Sequence, residues 1–160
     1  MPILIPGVNL IDLPLRVNER GLLFDVIRDA DMRQFGQVYV VTDPARGTVR
    51  AFHKHYQTIE YFCIVAGSAK FVLAGCDIPR VLHAHEDTIY VDQDTLYGLD
   101  TFTLTARKPQ LLIVPAGVWH GWMSLEDRTI LISVADRIYY RVNPDEVRIP
   151  PDSFGEVWTR

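Results

Sequence analysis

Three histidines and one glutamate carry the clearest chemical signal in the sequence. His53 and His55 are two residues apart, so on a β-strand their side chains project to the same face. Glu60 follows after a break at 56–58 and can return on the neighbouring antiparallel strand, and His120 begins a later strand after a Pro-Ala-Gly turn. Imidazole and carboxylate ligands of this kind bind Zn, Fe, Mn, Ni or Cu. We therefore predict one divalent metal ion held by these four side chains.

The chain around these residues consists mostly of predicted short strands. They are rich in β-branched or aromatic residues and are separated by Gly, Pro, Asp and Asn, which is typical of β-structure. The segment 28–34 has weak helical character. Many short strands with Gly and Pro turns predict an all-β barrel or sandwich. The predicted strands are 21–27, 38–41, 48–52, 59–65, 69–73, 102–105, 111–114 and 129–134.

Length and composition predict a single globular domain that spans residues 1–160. Of the 160 residues, 48% are hydrophobic and 22% are charged, which is ordinary for a globular protein. The net charge of −4 argues against nucleic acid or an anionic membrane surface as a partner. There is no disulfide framework, no signal-like segment and no apolar stretch of the ~20 residues that a membrane span needs. We therefore predict a cytoplasmic protein.

The segment 74–94 interrupts the strand pattern. It contains a glycine, a proline, five acidic residues and the two histidines His83 and His85. Segments of this length without a clear pattern are often functional loops. We predict a loop or hairpin insertion with a polar tip, and a second metal site or a substrate-facing loop is the alternative for His83 and His85.

Two motifs resemble those of the cupin superfamily. The first is Gly-x5-His-x-His-x4-Glu-x6-Gly, from Gly47 to Gly67, and the second is Pro-x-Gly-x-x-His, from Pro115 to His120. This resemblance implies a small β-barrel of the double-stranded β-helix, or jelly-roll, type. It also implies that His53, His55, Glu60 and His120 bind a divalent metal.

A narrower resemblance is to the dTDP-4-dehydrorhamnose 3,5-epimerase family. It implies a homodimer that acts on a nucleotide-linked keto-sugar. In that family a His removes a proton, a Tyr on the opposite face supplies one, a Lys steadies the enolate oxygen and arginines hold the diphosphate. His53 matches the base, and Arg20 and Arg50 match the diphosphate contacts. The segments that carry the resemblance are 18–24, 49–53, 104–122 and 139–148.

The chain departs from that family at the acid–base positions. The Lys position falls at Glu60, and the Tyr position falls at Ile132, Ser133 or Val134. We therefore expect that ordinary 3,5-epimerisation is not catalysed, and that a metal ion acting as a Lewis acid replaces the Lys. A histidine bound to metal cannot also be a free base. Other candidate acid–base residues are the nearest in sequence, namely Tyr56, Tyr61 and Asp136.

Three further side chains are candidates for substrate contacts. Trp119 and Trp122 flank His120, and we expect one of them to pack in the core. The other is placed to line the cavity, where core packing is favoured and stacking on a sugar or base is the alternative. Arg50 lies three residues before His53, which predicts the opposite face of the strand. An ordinary surface or interface arginine is the alternative for Arg50.

The predicted function is that of a metal-binding epimerase or isomerase of nucleotide-sugar or related carbohydrate metabolism. The alternatives are a cupin dioxygenase that uses Fe, Ni or Cu on a small molecule, and a non-catalytic cupin that binds a small molecule. The apolar segment 3–15 is expected to pair with an edge strand or with a partner chain. We take this as an indication of a homodimer.

Overall fold

The computed structural model describes residues 2–76 and 96–159, and between them the backbone of two short strands. Fourteen strands and one 3-10 turn, Asp29–Asp31, make up the regular structure described. The strands are β1 Asn9–Asp12, β2 Arg16–Asn18, β3 Gly21–Leu23, β4 Gln37–Val41, β5 Val49–Lys54, β6 Glu60–Ala66, β7 Ser68–Cys76, β8 Ala84–His85, β9 Thr88–Ile89, β10 Leu96–Thr105, β11 Gln110–Val114, β12 Trp119–Ser124, β13 Ile130–Ala135 and β14 Val147–Arg148.

Two sheets form the body of the protein, and the predicted all-β class is confirmed. One sheet has the strand order β1-β11-β6-β13-β4, and the other has the order β10-β7-β12-β5-β14-β9-β8. The pairs within both sheets are antiparallel, except that β14 and β9 run parallel. The strands β2 and β3 form a separate hairpin.

The main apolar core contains side chains from both sheets. Phe62 of β6 packs against Phe71 of β7 with ring centroids 5.4 Å apart, and Phe71 stacks on Trp122 of β12 at 6.4 Å. Glu60, Phe62 and Ile64 share one face of β6 because successive side chains alternate across a strand. The carboxylate of Glu60 therefore lies next to the apolar core.

Two smaller apolar clusters cover the outer faces of the sheets. Phe52 of β5 packs against Phe154 and Trp158 of the C-terminal segment, with ring centroids 4.8 and 5.2 Å apart. Trp119 belongs to the same cluster. On the other sheet Tyr61 and its neighbours pack beneath the segment 24–32. The chain segments outside the sheets thus cover the faces that the main core does not use.

Several predicted elements begin or end at different residues in the structure. The strand predicted at 21–27 ends at Leu23, and the segment 28–34 contains a single 3-10 turn. Residues 74–76 of the predicted insertion belong to β7. The strands β7 and β10 pair with each other directly. His83 lies outside the described residues, and His85 is described only as backbone of β8.

The N-terminal apolar segment pairs within its own chain. Residues Asn9–Asp12 pair with β11 and so cover what would be an edge of the five-stranded sheet. The Asp100 carboxylate accepts hydrogen bonds from the backbone N–H groups of Leu4 and Ile5, which holds the start of the segment in place. The segment therefore pairs with an edge strand of its own chain, which is the first of the two predicted alternatives. Within the described ranges, no helix has the length and apolar character required to cross a membrane.

Candidate active site

Four predicted ligands come together from three strands and one loop. His53 lies on β5, His55 just after it, Glu60 at the start of β6 and His120 on β12. One potential ligand atom from each side chain lies within 4.8 Å of the others. The Nε2 atoms of His120, His55 and His53 lie 2.7, 3.1 and 3.8 Å from Oε2 of Glu60. These residues could hold a single metal ion.

Backbone carbonyls orient two of the imidazoles towards this centre. Nδ1 of His55 donates to the carbonyl of Asp145 at 2.6 Å, and Nδ1 of His120 donates to the carbonyl of Val118 at 2.9 Å. In the neutral ring the other nitrogen, Nε2, then presents its lone pair. Two lone pairs that face one carboxylate oxygen repel it unless a proton or a metal ion lies between the nitrogen and oxygen atoms. A second hydrogen bond that fixes the imidazole tautomer is also typical of metal-binding histidines, so the donor set fits a metal.

The charge states of His53 and Glu60 suit the same role, whereas at His55 burial lowers the pKa but the hydrogen bond to Glu60 outweighs it and raises the pKa above its usual value. Burial, followed by the neighbouring His120, lowers the pKa of His53 to about 4, so this ring is neutral at physiological pH. Burial alone would raise the pKa of Glu60, but the three surrounding imidazoles together hold it well below its usual range. Neutral imidazole and ionised carboxylate are the forms that bind metal.

A cavity of about 630 Å³ opens over the cluster. His53, His55 and Glu60 line it, together with Trp122 and the three arginines Arg50, Arg137 and Arg148. Arg148 is paired with Glu146, whereas neither Arg50 nor Arg137 takes part in an ion pair with any residue in the described ranges. The cavity therefore combines a candidate cation centre with two guanidinium groups that are available to an anionic ligand.

A bulge between β5 and β12 corrects the predicted orientation of Arg50. His120 pairs with His53 and Trp122 pairs with Arg50, so two residues of β5 stand opposite Gly121 alone. The extra residue returns Arg50 to the side of the strand that lines the cavity with His53. A Cβ on Gly121 would overlap the Cβ of Ala51, so the close approach requires glycine.

Of the other predicted site residues, only Trp122 lines the cavity within the described part of the chain. Trp119 is completely buried in the outer cluster. Among the candidate acid–base residues, Tyr56 is exposed and Tyr61 is buried in the outer cluster. Asp136 accepts a hydrogen bond from the backbone N–H of Ile59. Arg20 lies exposed just before β3.

Several cavity residues escaped sequence reasoning. Tyr39 on β4 donates its hydroxyl to Oε1 of Glu60 at 3.0 Å, and Ser133 on β13 donates to the same oxygen at 3.3 Å. Of the three positions considered for the family's phenol, Ser133 is therefore the one directed at the site. Tyr39, the cross-strand partner of Ser133, brings a phenol hydroxyl to the same oxygen. The sequence of β4 predicts a strand, but it does not indicate which strand pairs with it.

Asp145 connects the site to the C-terminal segment. Its carboxylate accepts hydrogen bonds from the backbone N–H groups of Tyr56, Gln57 and Thr58 and from the Thr58 hydroxyl, at 2.8–3.1 Å. Its carbonyl holds His55. Burial would raise the pKa of Asp145, but these donors lower it below its usual value. Asp145 therefore fixes the loop between the His55 and Glu60 ligands.

No protein-family model matches the chain. In sequence the chain is similar to the probable low-salt glycan biosynthesis epimerase Agl13 of Haloferax volcanii, with 28% identity over 158 residues, covering 92% of this chain and 89% of that protein. It is also similar to the spore coat polysaccharide biosynthesis protein SpsL of Bacillus subtilis, with 28% identity over 153 residues, covering 93% of this chain and 91% of that protein.

In structure the chain is similar to a dTDP sugar isomerase of Desulfovibrio desulfuricans. The TM-score is 0.78 at 19% sequence identity, and the match covers 99% of this chain and 94% of the other. The two packed sheets of this chain match the neighbour's fold over nearly its whole length, so the predicted jelly-roll architecture is confirmed. The chain therefore has the cupin fold, and its predicted resemblance to the dTDP-sugar epimerases and isomerases is confirmed.

Proposed function

We propose that this protein is a metal-dependent epimerase or isomerase that acts on a nucleotide sugar. The observation that carries the proposal is the cluster of three imidazoles and one carboxylate on the wall of a cavity with two available arginines. The named functions of the relatives support it: one is called an epimerase of glycan biosynthesis and one a dTDP sugar isomerase. The cavity volume of about 630 Å³ lies in the range typical of small-molecule sites.

In this proposal the arginines and the metal ligands bind different parts of the substrate. Arg50 and Arg137 bind the diphosphate, because guanidinium groups recognise phosphate oxygens through paired hydrogen bonds. A divalent ion held by His53, His55, Glu60 and His120 would polarise a substrate carbonyl and so acidify the neighbouring C–H bond. Trp122 supplies an apolar wall beside the reacting part of the sugar.

Proton transfer requires a residue other than the metal ligands. His53 as a ligand has its Nε2 lone pair engaged, and the candidates Tyr56, Tyr61 and Asp136 do not line the cavity. The lining does contain the hydroxyl group of Tyr139 and the carboxylate of Glu146. We propose that the proton carrier is one of these two groups.

The experiment is solvent-deuterium exchange followed by NMR with dTDP-4-keto-6-deoxyglucose and a panel of other nucleotide sugars. We expect exchange at one carbon next to the carbonyl, dependent on added Zn, Mn, Fe, Ni or Cu and abolished by a chelator. Rapid exchange at both C3 and C5 with chelated protein would contradict the proposal. Oxygen consumption with an Fe- or Cu-loaded sample would instead favour the dioxygenase, and ligand binding without turnover would favour a binding protein.

We also propose that the protein is a cytoplasmic homodimer. Two apolar surfaces support the dimer: the hairpin β2–β3, which exposes Val17, Leu22 and Leu23, and the edge strand β4, which exposes Val38 and Val40. Exposed edge strands and contiguous apolar surfaces are common protein–protein contacts.

A further inference from the structure

The two carboxylate oxygens of Glu60 have different neighbours. Oε2 faces the Nε2 atoms of the three histidines, at 2.7, 3.1 and 3.8 Å. Oε1 accepts hydrogen bonds from Tyr39 at 3.0 Å and from Ser133 at 3.3 Å. One oxygen is therefore directed at the candidate metal centre, and the other is engaged by protein hydroxyls.

The hydroxyls that hold Oε1 are positioned by strand register. Tyr39 and Ser133 are cross-strand partners on β4 and β13, and Glu60 pairs with Ala135 on the same β13 strand. Ser133 is completely buried, and its hydroxyl has Glu60 as its hydrogen-bond acceptor. Because the two donors lie on adjacent strands, the sheet itself sets their distance from the carboxylate.

We propose that Tyr39 and Ser133 are positioning residues that restrict Glu60 to binding the metal through Oε2 alone. This inference rests on the proposed function, since it requires that the cluster holds a metal. A carboxylate that used both oxygens would occupy a further coordination position. With Oε1 held by two hydroxyls, a bound metal would keep that position for an oxygen atom of a cavity ligand. Tyr39 also lines the cavity, so the residue that holds Oε1 of Glu60 borders the space that a ligand would occupy.

The hydroxyl of Tyr39 is well suited to this role. Its oxygen lies 3.0 Å from Oε1 of Glu60, an ordinary hydrogen-bond length, and the pairing of β4 with β13 holds its backbone in place. Hydrogen-bond partners of metal ligands typically change metal affinity by about 10–100-fold when they are removed. The same magnitude is expected here if the hydroxyls orient the carboxylate.

The test uses the full chain loaded with Co²⁺ or Cu²⁺ in the absence of any sugar. The variants are Tyr39→Phe, Ser133→Ala and the double variant, and Tyr97→Phe is the matched control because Tyr97 is exposed and does not line the cavity. Metal affinity is measured by competition with a chelator. Coordination is followed by the visible spectrum for Co²⁺ and by electron paramagnetic resonance for Cu²⁺.

We expect the double variant to lose about 10–100-fold in metal affinity and to show an altered Co²⁺ or Cu²⁺ spectrum. Tyr39→Phe alone, which keeps the ring and the fold, is expected to show the same spectral change in part, whereas Tyr97→Phe matches the wild type. Wild-type affinity and spectra in the double variant would overturn the inference and leave the proposed function intact. A wild-type protein that binds none of the divalent metals tested would overturn both.

Discussion

His53 and His120 are cross-strand partners in one sheet, although they come from two separate sequence motifs. They pair in the register of β5 and β12, and their ring centroids lie 4.2 Å apart at an interplanar angle of 71°. Because β12 is also paired with β7 on its other side, the His120 backbone is held within a central strand. The geometry of the candidate metal centre therefore depends on the register between these two strands.

Metal binding should stabilise the folded protein and should depend on Glu60. At a free metal concentration of about 100 times Kd, the expected gain is about 2.7 kcal/mol in the free energy of unfolding. That corresponds to a rise of about 5–10 °C in Tm for a chain of this size. Glu60→Gln should abolish the rise because the centre loses its charged ligand, and elemental analysis should show less bound metal.

Glu126→Gln is the matched control for that experiment. Glu126 binds Arg107 and the Ser68 hydroxyl at the surface, away from the cavity. Its variant should keep the full metal content and the full rise in Tm. Undiminished metal content in a His53→Ala/His120→Ala double variant would show that the ion is bound elsewhere.

Gly121→Ala should weaken metal binding by changing the contact between β5 and β12. The added Cβ would overlap that of Ala51 and lie 2.8 Å from its Cα, so the backbone must move. Overpacking of this kind costs about 1–3 kcal/mol. We expect at least a tenfold loss of metal affinity, because the bulge positions His53 opposite His120. Gly98→Ala, whose nearest neighbour is a side-chain carbon of Ile5 at 3.3 Å, should leave the affinity unchanged.

Asp145→Ala should lower metal affinity by about 10–100-fold, which is typical when a group supporting a ligand is removed. The carboxylate holds the loop 56–58, and the carbonyl of the same residue orients His55. Isothermal titration with Zn²⁺ would measure the change. Asp145→Asn retains one acceptor oxygen and should lose less, and Asp152→Ala serves as a control. Equal affinities in all four proteins would show that the loop holds its shape without this carboxylate.

Arg50→Ala and Arg137→Ala should each weaken the binding of a nucleoside diphosphate. Hydrogen bonds to a charged group contribute about 1.5–3 kcal/mol, so each variant should raise Kd by about 10–150-fold. The affinity should also fall with increasing salt. Arg141→Ala changes an exposed arginine that does not line the cavity and is the control. If all three variants bound dTDP as the wild type does, the diphosphate would have to lie elsewhere.

Light scattering at micromolar concentration should give the mass of a dimer. A Leu22→Lys/Val40→Lys variant places a charge on both apolar surfaces and should shift the mass towards the monomer, because burial of an unpaired charge is unfavourable. Leu4→Lys, which changes an exposed leucine outside those surfaces, is the control. The monomer mass for the wild type would contradict the proposed dimer.

The amino-acid sequence alone was sufficient for the fold class and for the identity of the four clustered side chains. Short strands and turns are local patterns, and the spacing of His53, His55 and Glu60 depends only on strand alternation and one turn. His120 could be added because its motif is also local. These features can be predicted from a single sequence because residues close together in the chain determine them.

The tertiary structure decided the parts of the site that depend on register between distant strands. A one-residue bulge opposite Gly121 turned Arg50 into the cavity, and simple alternation had predicted the opposite face. Tyr39 and Ser133 reach Glu60 because β4 and β13 are paired, and Asp145 reaches His55 from the C-terminal segment. Pairing between strands far apart in the chain is fixed by the packing of the whole barrel. No local spacing around these residues could therefore have predicted their contacts.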